Sequence, residues 1–104
     1  MIKHIVMWKL KDNAEGRSRI DNALKLKQDL ENLNGKVPGM LLLEVGIHVK
    51  DSKSDEGDSD VILYSEFSDM QSLEDYYPHP AHQKIVPFAK AIRSERRVIN
   101  YEVK

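Results

Sequence analysis

The chain has 104 residues, of which 40% are hydrophobic and 32% are charged, and its formal net charge at pH 7 is −1. This length and mixture are typical of a globular chain with one packed core, so we expect a single domain over residues 1–104. The near-neutral charge argues against a nucleic-acid partner, because such partners select a basic surface. There is no cysteine, which excludes disulfide bonds and thiol catalysis.

The N-terminal stretch MIKHIVMWKLK is interrupted by Lys3, His4 and Lys9. A signal peptide needs an unbroken apolar centre, and a transmembrane helix needs roughly 18 consecutive apolar residues. The chain shows neither pattern. We therefore expect a cytoplasmic protein without a membrane partner.

Residues 2–10, IKHIVMWKL, predict a first strand because they are rich in β-branched and aromatic side chains. Its two faces are Ile2, His4, Val6, Trp8 and Leu10 on one side, and Lys3, Ile5, Met7 and Lys9 on the other. Both faces are apolar in the middle, which predicts a strand covered on both sides. A sheet of this size has helices for one face only, so a further partner must cover the other.

A helix is predicted to begin within KDNAEGRSR, where Asp12 and Glu15 have the spacing of a capping box and Asn13 is an equally good cap. The positions that then follow helical spacing are Ile20, Ala23, Leu24, Lys27, Leu30 and Leu33, with Leu26 beside them. Gly35 predicts the end of this helix, and VPG at 37–39 predicts a turn.

Residues 40–49, MLLLEVGIHV, predict a second strand that is too apolar to have one solvated face. The polar segment 51–60, DSKSDEGDSD, predicts an exposed hairpin loop. Its acids do not match a calcium-binding loop, because Lys53 interrupts the ligand spacing after Asp51 and no Glu closes the loop.

The remaining predicted elements are a strand at 61–67, a short helix that is capped by Ser68 or Asp69 and ends at about Tyr77, a helix from Pro80 to about Ile92, and a strand at 96–103. The order β-α-β-β-α-β predicts a ferredoxin-like α+β fold, with four antiparallel strands and helices on one face. Because the other face is also apolar, we predict a homodimer joined sheet to sheet.

Residues 76–83, YYPHPAHQ, concentrate aromatic and imidazole groups at the break in the second helical region. Pro80 favours the first turn of a helix, which places His79 near the N-cap and His82 within the first turn. A helix N-terminus disfavours a protonated imidazole, so His82 is expected to be neutral and able to accept a proton. One of the two tyrosines could donate a hydrogen bond to a carbonyl or an enolate.

A neutral histidine and a tyrosine hydroxyl are sufficient for proton abstraction next to a carbonyl, and His4 is a third candidate for the same cavity. The alternative is structural: His79 is a cap, His82 is an interface histidine, and the tyrosines only pack. The HxxH spacing is also found among metal ligands, and the residues that could add to it are His4, His48, Glu74 and Asp75. Zinc needs three or four converging ligands, which this spacing alone does not supply, so we expect no metal and no cofactor.

Three stretches together carry a family resemblance: MIKHIVMWKLK, VPGMLLLEVG, and DVILYSEFSDMQSLEDYYPHPAHQKIVPF. In these stretches the chain resembles the stress-responsive A/B barrel family, often called Dabb, over nearly its whole length. HPAH with Phe88 is the most specific part of the match, and IKHIV is the next. The resemblance implies a ferredoxin-like protomer that pairs into a dimeric α/β barrel.

Plant relatives of this family include polyketide cyclases, which catalyse an intramolecular aldol condensation without a cofactor. The resemblance implies that His82 and Tyr76 are the acid/base pair and that His4 lines the pocket. The cyclases carry a further pocket histidine where this chain has Val61, so the cyclase set is incomplete here.

These observations lead to three functional hypotheses. The first is a pocket between sheet and helices that binds a small apolar or carbonyl-containing molecule, with His82 and Tyr76 as catalytic residues. The residues expected to line it are His4, His79, Val6, Trp8 and Val61. The second is a non-catalytic, stress-related structural dimer. The third is an oxygenase or haem-related enzyme, because related dimeric barrels include such enzymes and Trp8 lies on a pocket strand.

Overall fold

A computed structural model describes residues 1–49 and 58–104 of the chain. Its elements are β1 (Ile2–Leu10), β2 (Asn13–Ala14), β3 (Arg17–Ser18), α1 (Arg19–Glu31), β4 (Met40–Ile47), β5 (Val61–Phe67), α2 (Met70–Tyr76), α3 (Pro80–Gln83), α4 (Val86–Ile92) and β6 (Arg93–Glu102). Most of the loop predicted at 51–60, including the rejected calcium pattern, lies outside the described residues. Among those described, no helix is long and apolar enough to cross a membrane.

The four long strands form one antiparallel sheet in the order β4-β5-β1-β6. The helices cover one face, which we call the helix face. There β1 and β5 bury Val6, Leu63 and Phe67, each at most 2% exposed. The predicted ferredoxin-like α+β fold is therefore confirmed. Strand β4 ends two residues earlier than predicted, and β6 begins three residues earlier.

The segment predicted to open the first helix instead forms a small hairpin of β2 and β3. Glu15 and Gly16 occupy its two-residue turn with φ of 53° and 73°, the left-handed geometry that matches the twist of a hairpin. The actual N-cap is Ser18, whose hydroxyl accepts a hydrogen bond from the backbone N–H of Asp21. The predicted capping box at Asp12 and Glu15 is therefore wrong, because local turn chemistry at Gly16 prevails over the capping pattern.

Helix α1 packs on the sheet through Ala23, Leu26 and Leu30. Two other positions of the predicted apolar stripe face outward: Ile20 is 55% exposed and Leu24 is 52% exposed. The helical spacing was correct, but the buried side is rotated towards Leu26, where the helix meets the sheet.

The predicted helix from Pro80 to Ile92 is interrupted between α3 and α4. Pro87 explains the interruption, because proline has no N–H to donate to the carbonyl of Gln83, four residues before it. At the start of α2, Asp69 is the N-cap, as predicted, and accepts a hydrogen bond from the backbone N–H of Ser72 at 2.8 Å.

The turn that enters β4 depends on Gly39, whose φ is +80°. Its carbonyl accepts a hydrogen bond from the backbone N–H of Ser68 at 2.9 Å. A Cβ atom at position 39 would overlap the side chain of Ser72, in the first turn of α2. The backbone at Gly39 therefore lies so close to the Ser72 side chain that a methyl group would not fit between them.

The second face of the sheet, which we call the open face, carries no helix among the described residues. Its exposed large apolar side chains are Met7, Leu42, Ile62, Ile99 and Tyr101. Ile99, in the edge strand β6, is 56% exposed. Exposure of several large apolar groups on one contiguous sheet surface is unusual for a monomer and is typical of an interface.

Candidate functional site

Five side chains meet where β1 and β6 approach α2 and α3. We call them the aromatic–histidine cluster, and they are His4, Tyr76, Tyr77, His82 and Asn100. Strand β1 supplies the first, α2 and the connection to α3 supply the tyrosines, α3 supplies the second histidine, and β6 supplies the amide. The cluster contains both residues predicted to be catalytic.

His4 lies at the bottom of the cluster and is 1% exposed. Its Nδ1 is 2.6 Å from the side-chain oxygen of Asn100, an atom that can only accept a hydrogen bond. Nδ1 therefore carries a proton, and in the neutral ring Nε2 keeps a lone pair. Burial lowers the pKa of His4, and the hydrogen bond to Asn100 opposes that shift in part.

His82 is half-buried, and its ring centroid is 4.3 Å from that of Tyr76. Its Nδ1 lies 2.9 Å from the backbone carbonyl oxygen of Tyr77, so this nitrogen donates and Nε2 again keeps the lone pair. Burial lowers the pKa of His82, while the hydrogen bond to the carbonyl raises it. The neutral form follows mainly from burial rather than from the start of α3, a helix of only four residues.

Tyr76 is packed between the two imidazoles. It is 1% exposed, and its ring centroid lies 6.1 Å from that of His4. Burial raises the pKa of the Tyr76 phenol, and the neighbouring Tyr77 raises it further. The phenol is therefore protonated at neutral pH, and it can donate a hydrogen bond to an oxygen that gains negative charge.

Asn100 and Tyr77 connect the parts of the cluster, and the sequence did not single out Asn100. The Asn100 amide nitrogen is 3.5 Å from the Tyr77 hydroxyl, while its oxygen holds His4. Asn100 is opposite His4 in the pairing of β1 with β6. Adjacency of the first and last strands follows from the predicted fold, but the register that pairs these two residues has no local signal in the sequence.

His79 has the capping role that its position predicts. Its Nδ1 accepts a hydrogen bond from the backbone N–H of Ala81 at 3.1 Å, which caps α3. Because this ring nitrogen is used in the helix cap, His79 has the role that the structural alternative predicts for it.

The apolar residues predicted to line a pocket lie in the packed core. Val6, Trp8 and Val61 are 2%, 5% and 1% exposed, on the same helix face as His4. Within the described part of the chain, the Trp8 indole nitrogen is buried without a hydrogen-bond partner. These side chains form a wall behind the cluster rather than the lining of an open space.

Open space lies elsewhere on the surface. Three of the clefts formed by residues 1–49 and 58–104 have volumes of about 630, 440 and 290 Å³, and none of these three is bordered by His4, Tyr76 or His82. The largest, which we call the charged cleft, is bordered by the charged or ionisable residues Asp12, Arg19, His48, Asp58 and Asp60. Val61 borders the second. Across residues 1–49 and 58–104, no three His, Cys, Asp or Glu side chains are grouped to hold a metal ion.

The sequence profile of the stress-responsive A/B barrel domain, Dabb, matches residues 2–103. The chain belongs to the Dabb family. The family resemblance predicted from the sequence is thus confirmed over nearly the whole chain. No curated protein matches the chain significantly.

Solved structures similar to this Dabb chain share its fold. A dimeric protein of unknown function and ferredoxin-like fold from Bacteroides fragilis NCTC 9343 has 25% identity and a TM-score of 0.82, over 98% of this chain and 95% of that one. The hydroxynitrile lyase from Passiflora edulis has 20% identity and a TM-score of 0.77, over 99% and 93%. An antibiotic biosynthesis monooxygenase has 19% identity and a TM-score of 0.74, over 100% and 99%.

Proposed function

We propose that this Dabb protein is a cytoplasmic homodimer that binds a small carbonyl compound at the aromatic–histidine cluster and transfers a proton there without a cofactor. The observation that carries the proposal is the state of the two imidazoles. In His4 and His82, Nδ1 is already hydrogen-bonded, so each Nε2 is a free base beside the protonated Tyr76 phenol.

The proposed step is enolisation. Nε2 of His82 removes a proton from the carbon next to the carbonyl, and the electrons of that C–H bond move to the carbonyl oxygen. The Tyr76 hydroxyl donates a hydrogen bond to this oxygen as its negative charge develops. The enolate carbon then either recovers a proton from the His82 imidazolium or attacks a second carbonyl, as in an aldol addition. In the second case a C–C bond forms, the π bond of the second carbonyl breaks, and its oxygen takes the proton from the His82 imidazolium.

Access to the cluster requires a side chain to move, because His4 and Tyr76 are each 1% exposed. Tyr77 is half-buried beside them. Among the residues that the structure describes, the one hydrogen-bond partner of its hydroxyl is Asn100, at 3.5 Å, which is at the weak end of hydrogen-bond geometry. We expect a ligand to enter by displacing the Tyr77 ring.

The test is proton exchange in deuterated water, followed by NMR of the ligand. Neutral and carboxylate-bearing methyl ketones of increasing chain length are incubated with the protein, and loss of the α-proton signal is measured. We expect accelerated exchange, reduced about a hundred-fold or more in His82→Gln and also reduced in Tyr76→Phe. His48→Gln in the charged cleft removes a histidine elsewhere and should leave the rate unchanged. Equal rates in all variants would contradict the proposal.

The homodimer is supported by the open face and by the dimeric Bacteroides fragilis protein with 25% identity. A second copy placed on the open face would bury Met7, Ile62 and Ile99 together. Light scattering after gel filtration should give the mass of two chains, and Ile99→Glu should shift the protein to a monomer. Ile20→Glu, on the exposed side of α1, is the matched control and should remain dimeric. A monomeric wild type would overturn this part.

A stress-related structural dimer is the second candidate, and two observations favour it. His79 is used as a helix cap, and the three clefts avoid the cluster. Under this alternative the wild-type protein has no exchange activity, and His82→Gln would reduce stability alone. The oxygenase hypothesis rested on related dimeric barrels and on Trp8. Trp8 is packed in the core, and the monooxygenase neighbour at 19% identity adds a shared fold alone.

A further inference from the structure

The edge strand β6 leaves part of the helix face uncovered beside the cluster. Its residues there are exposed, although their β1 partners are buried. The cross-strand pairs are Trp8 with Arg96, Val6 with Val98, and His4 with Asn100. We call Arg96, Val98 and Asn100 the helix-side row. It forms a strip of solvent-accessible surface that begins at the proposed site.

The three side chains of the helix-side row differ in character: an amide lies at one end, an apolar group in the middle and a cation at the other end. Asn100, at one end, holds His4 through the 2.6 Å hydrogen bond. Val98, in the middle, is 47% exposed and offers an apolar surface. Arg96, at the other end, is four residues from Asn100, which is about 13 Å along an extended strand. A long arginine side chain can cover roughly half of that distance.

Arg96 is a cation without a local counter-ion in the described part of the chain, since none of the carboxylates there lies within 4 Å of its guanidinium. Its charge nevertheless reaches the cluster: after burial, Arg96 is a smaller cause of the lowered pKa of His4 and His82, and it opposes the rise that burial produces in the pKa of Tyr76. A guanidinium can bind a carboxylate through two parallel hydrogen bonds, so an unpaired arginine beside a site selects for an anion.

We propose, resting on the proposed carbonyl site, that the ligand is an acidic carbonyl compound whose carboxylate is bound by Arg96. Its apolar segment lies over Val98, and its carbonyl reaches Tyr76 and His82. Arg96 is then a specificity-determining residue. The row also sets the direction of binding, because its next residue beyond Asn100 is Glu102, whose charge repels a carboxylate.

The test compares charged and neutral probes of the same shape. Levulinate, its longer homologues and the primary amide of each are titrated into the protein, with affinity measured from NMR shifts of His4 and His82. For the best chain length we expect the acid to bind roughly three- to ten-fold more tightly than its amide. That preference should disappear in Arg96→Gln, with amide affinity unchanged.

The matched control is Arg17→Gln, which removes one positive charge from the exposed hairpin β2–β3 and should keep the preference for the acid. If acid and amide bind wild-type protein equally at the cluster, or if Arg96→Gln keeps the preference, the Arg96 proposal is overturned while the proposed function stands. If neither probe binds and no ketone exchanges its α-proton, both proposals fall.

Discussion

The aromatic–histidine cluster contains the groups with shifted pKa values, whereas the charged cleft, in another part of the molecule, contains the largest of the three open volumes. The cleft has the largest of the three volumes, about 630 Å³, and its ionisable side chains lie close to partners: Arg19 is 2.6 Å from Asp12, and His48 is 3.2 Å from Asp58. The cluster borders none of the three clefts, yet it contains the buried imidazole of His4, the half-buried imidazole of His82 and the buried phenol of Tyr76, and burial shifts the pKa of each. The largest of the three volumes therefore does not coincide with the groups whose pKa values are shifted, and groups of that kind tend to lie at functional sites.

The largest difference between the two regions should be seen in stability. Tyr76→Ala removes a ring that is 1% exposed and leaves a cavity, which should cost about 3–5 kcal/mol of unfolding free energy. Ile20→Ala, beside the charged cleft at 55% exposed, should cost about 0.5 kcal/mol or less. Urea unfolding measures both. Similar losses would show that the cluster is not packed as described.

A second substitution gives His4 the kind of partner that His48 already has. Asn100→Asp places a carboxylate at the position of the present amide oxygen, 2.6 Å from Nδ1 of His4, and should raise the pKa of that imidazole above its wild-type value. Asn100→Leu removes the acceptor and should lower it, since the present hydrogen bond raises it. NMR titration of the ring protons reports both values, and opposite shifts would refute the assigned hydrogen bond.

The pH dependence of stability should also separate the regions. Burial depresses the pKa of His4 and His82 in the folded chain, so below about pH 6.5 the unfolded chain binds more protons than the folded one. Stability present at neutral pH is therefore lost as pH falls towards the folded pKa values. Thermal unfolding across pH 5–8 should show a shallower fall in His4→Gln than in wild type. An unchanged slope in His4→Gln would contradict the assigned burial of this imidazole.

The smallest effect is expected at the ion pair on the rim of the charged cleft. The Asp12 side chain is 87% exposed, so water and salt screen its attraction to Arg19. Asp12→Asn should change the unfolding free energy by about 0.5 kcal/mol or less. A larger loss in the same urea experiment would show that the Asp12–Arg19 pair is held more rigidly than the exposure of its side chains implies.

The types and order of the main elements could be predicted from the sequence, because the β-branched and aromatic content of β1 and the helical spacing in α1 are strong local patterns. The local errors arose where short patterns competed. Asp12 and Glu15 have capping spacing, but Gly16 favours a two-residue turn and the hairpin forms instead. The buried side of α1 was also misjudged at Leu24, since it depends on how the helix meets the sheet.

The candidate site could be predicted only in part. His82 and Tyr76 are close in sequence, and one helical break brings them together at 4.3 Å between ring centroids. His4 and Asn100 are separated by 96 positions, and only strand register makes them partners. Whether the space between such residues is open or filled depends on packing, which no spacing of residue types specifies.

The turn at Gly39 bears on how the cluster could be altered by laboratory evolution. A side chain there would collide with Ser72 and force α2 to shift, and Tyr76 lies one turn further along the same helix. A library screened for altered ligand choice could therefore yield variants at a position that touches no cluster residue. The packing of α2 and the ligand preference of the cluster would then both depend on the absence of a side chain at position 39.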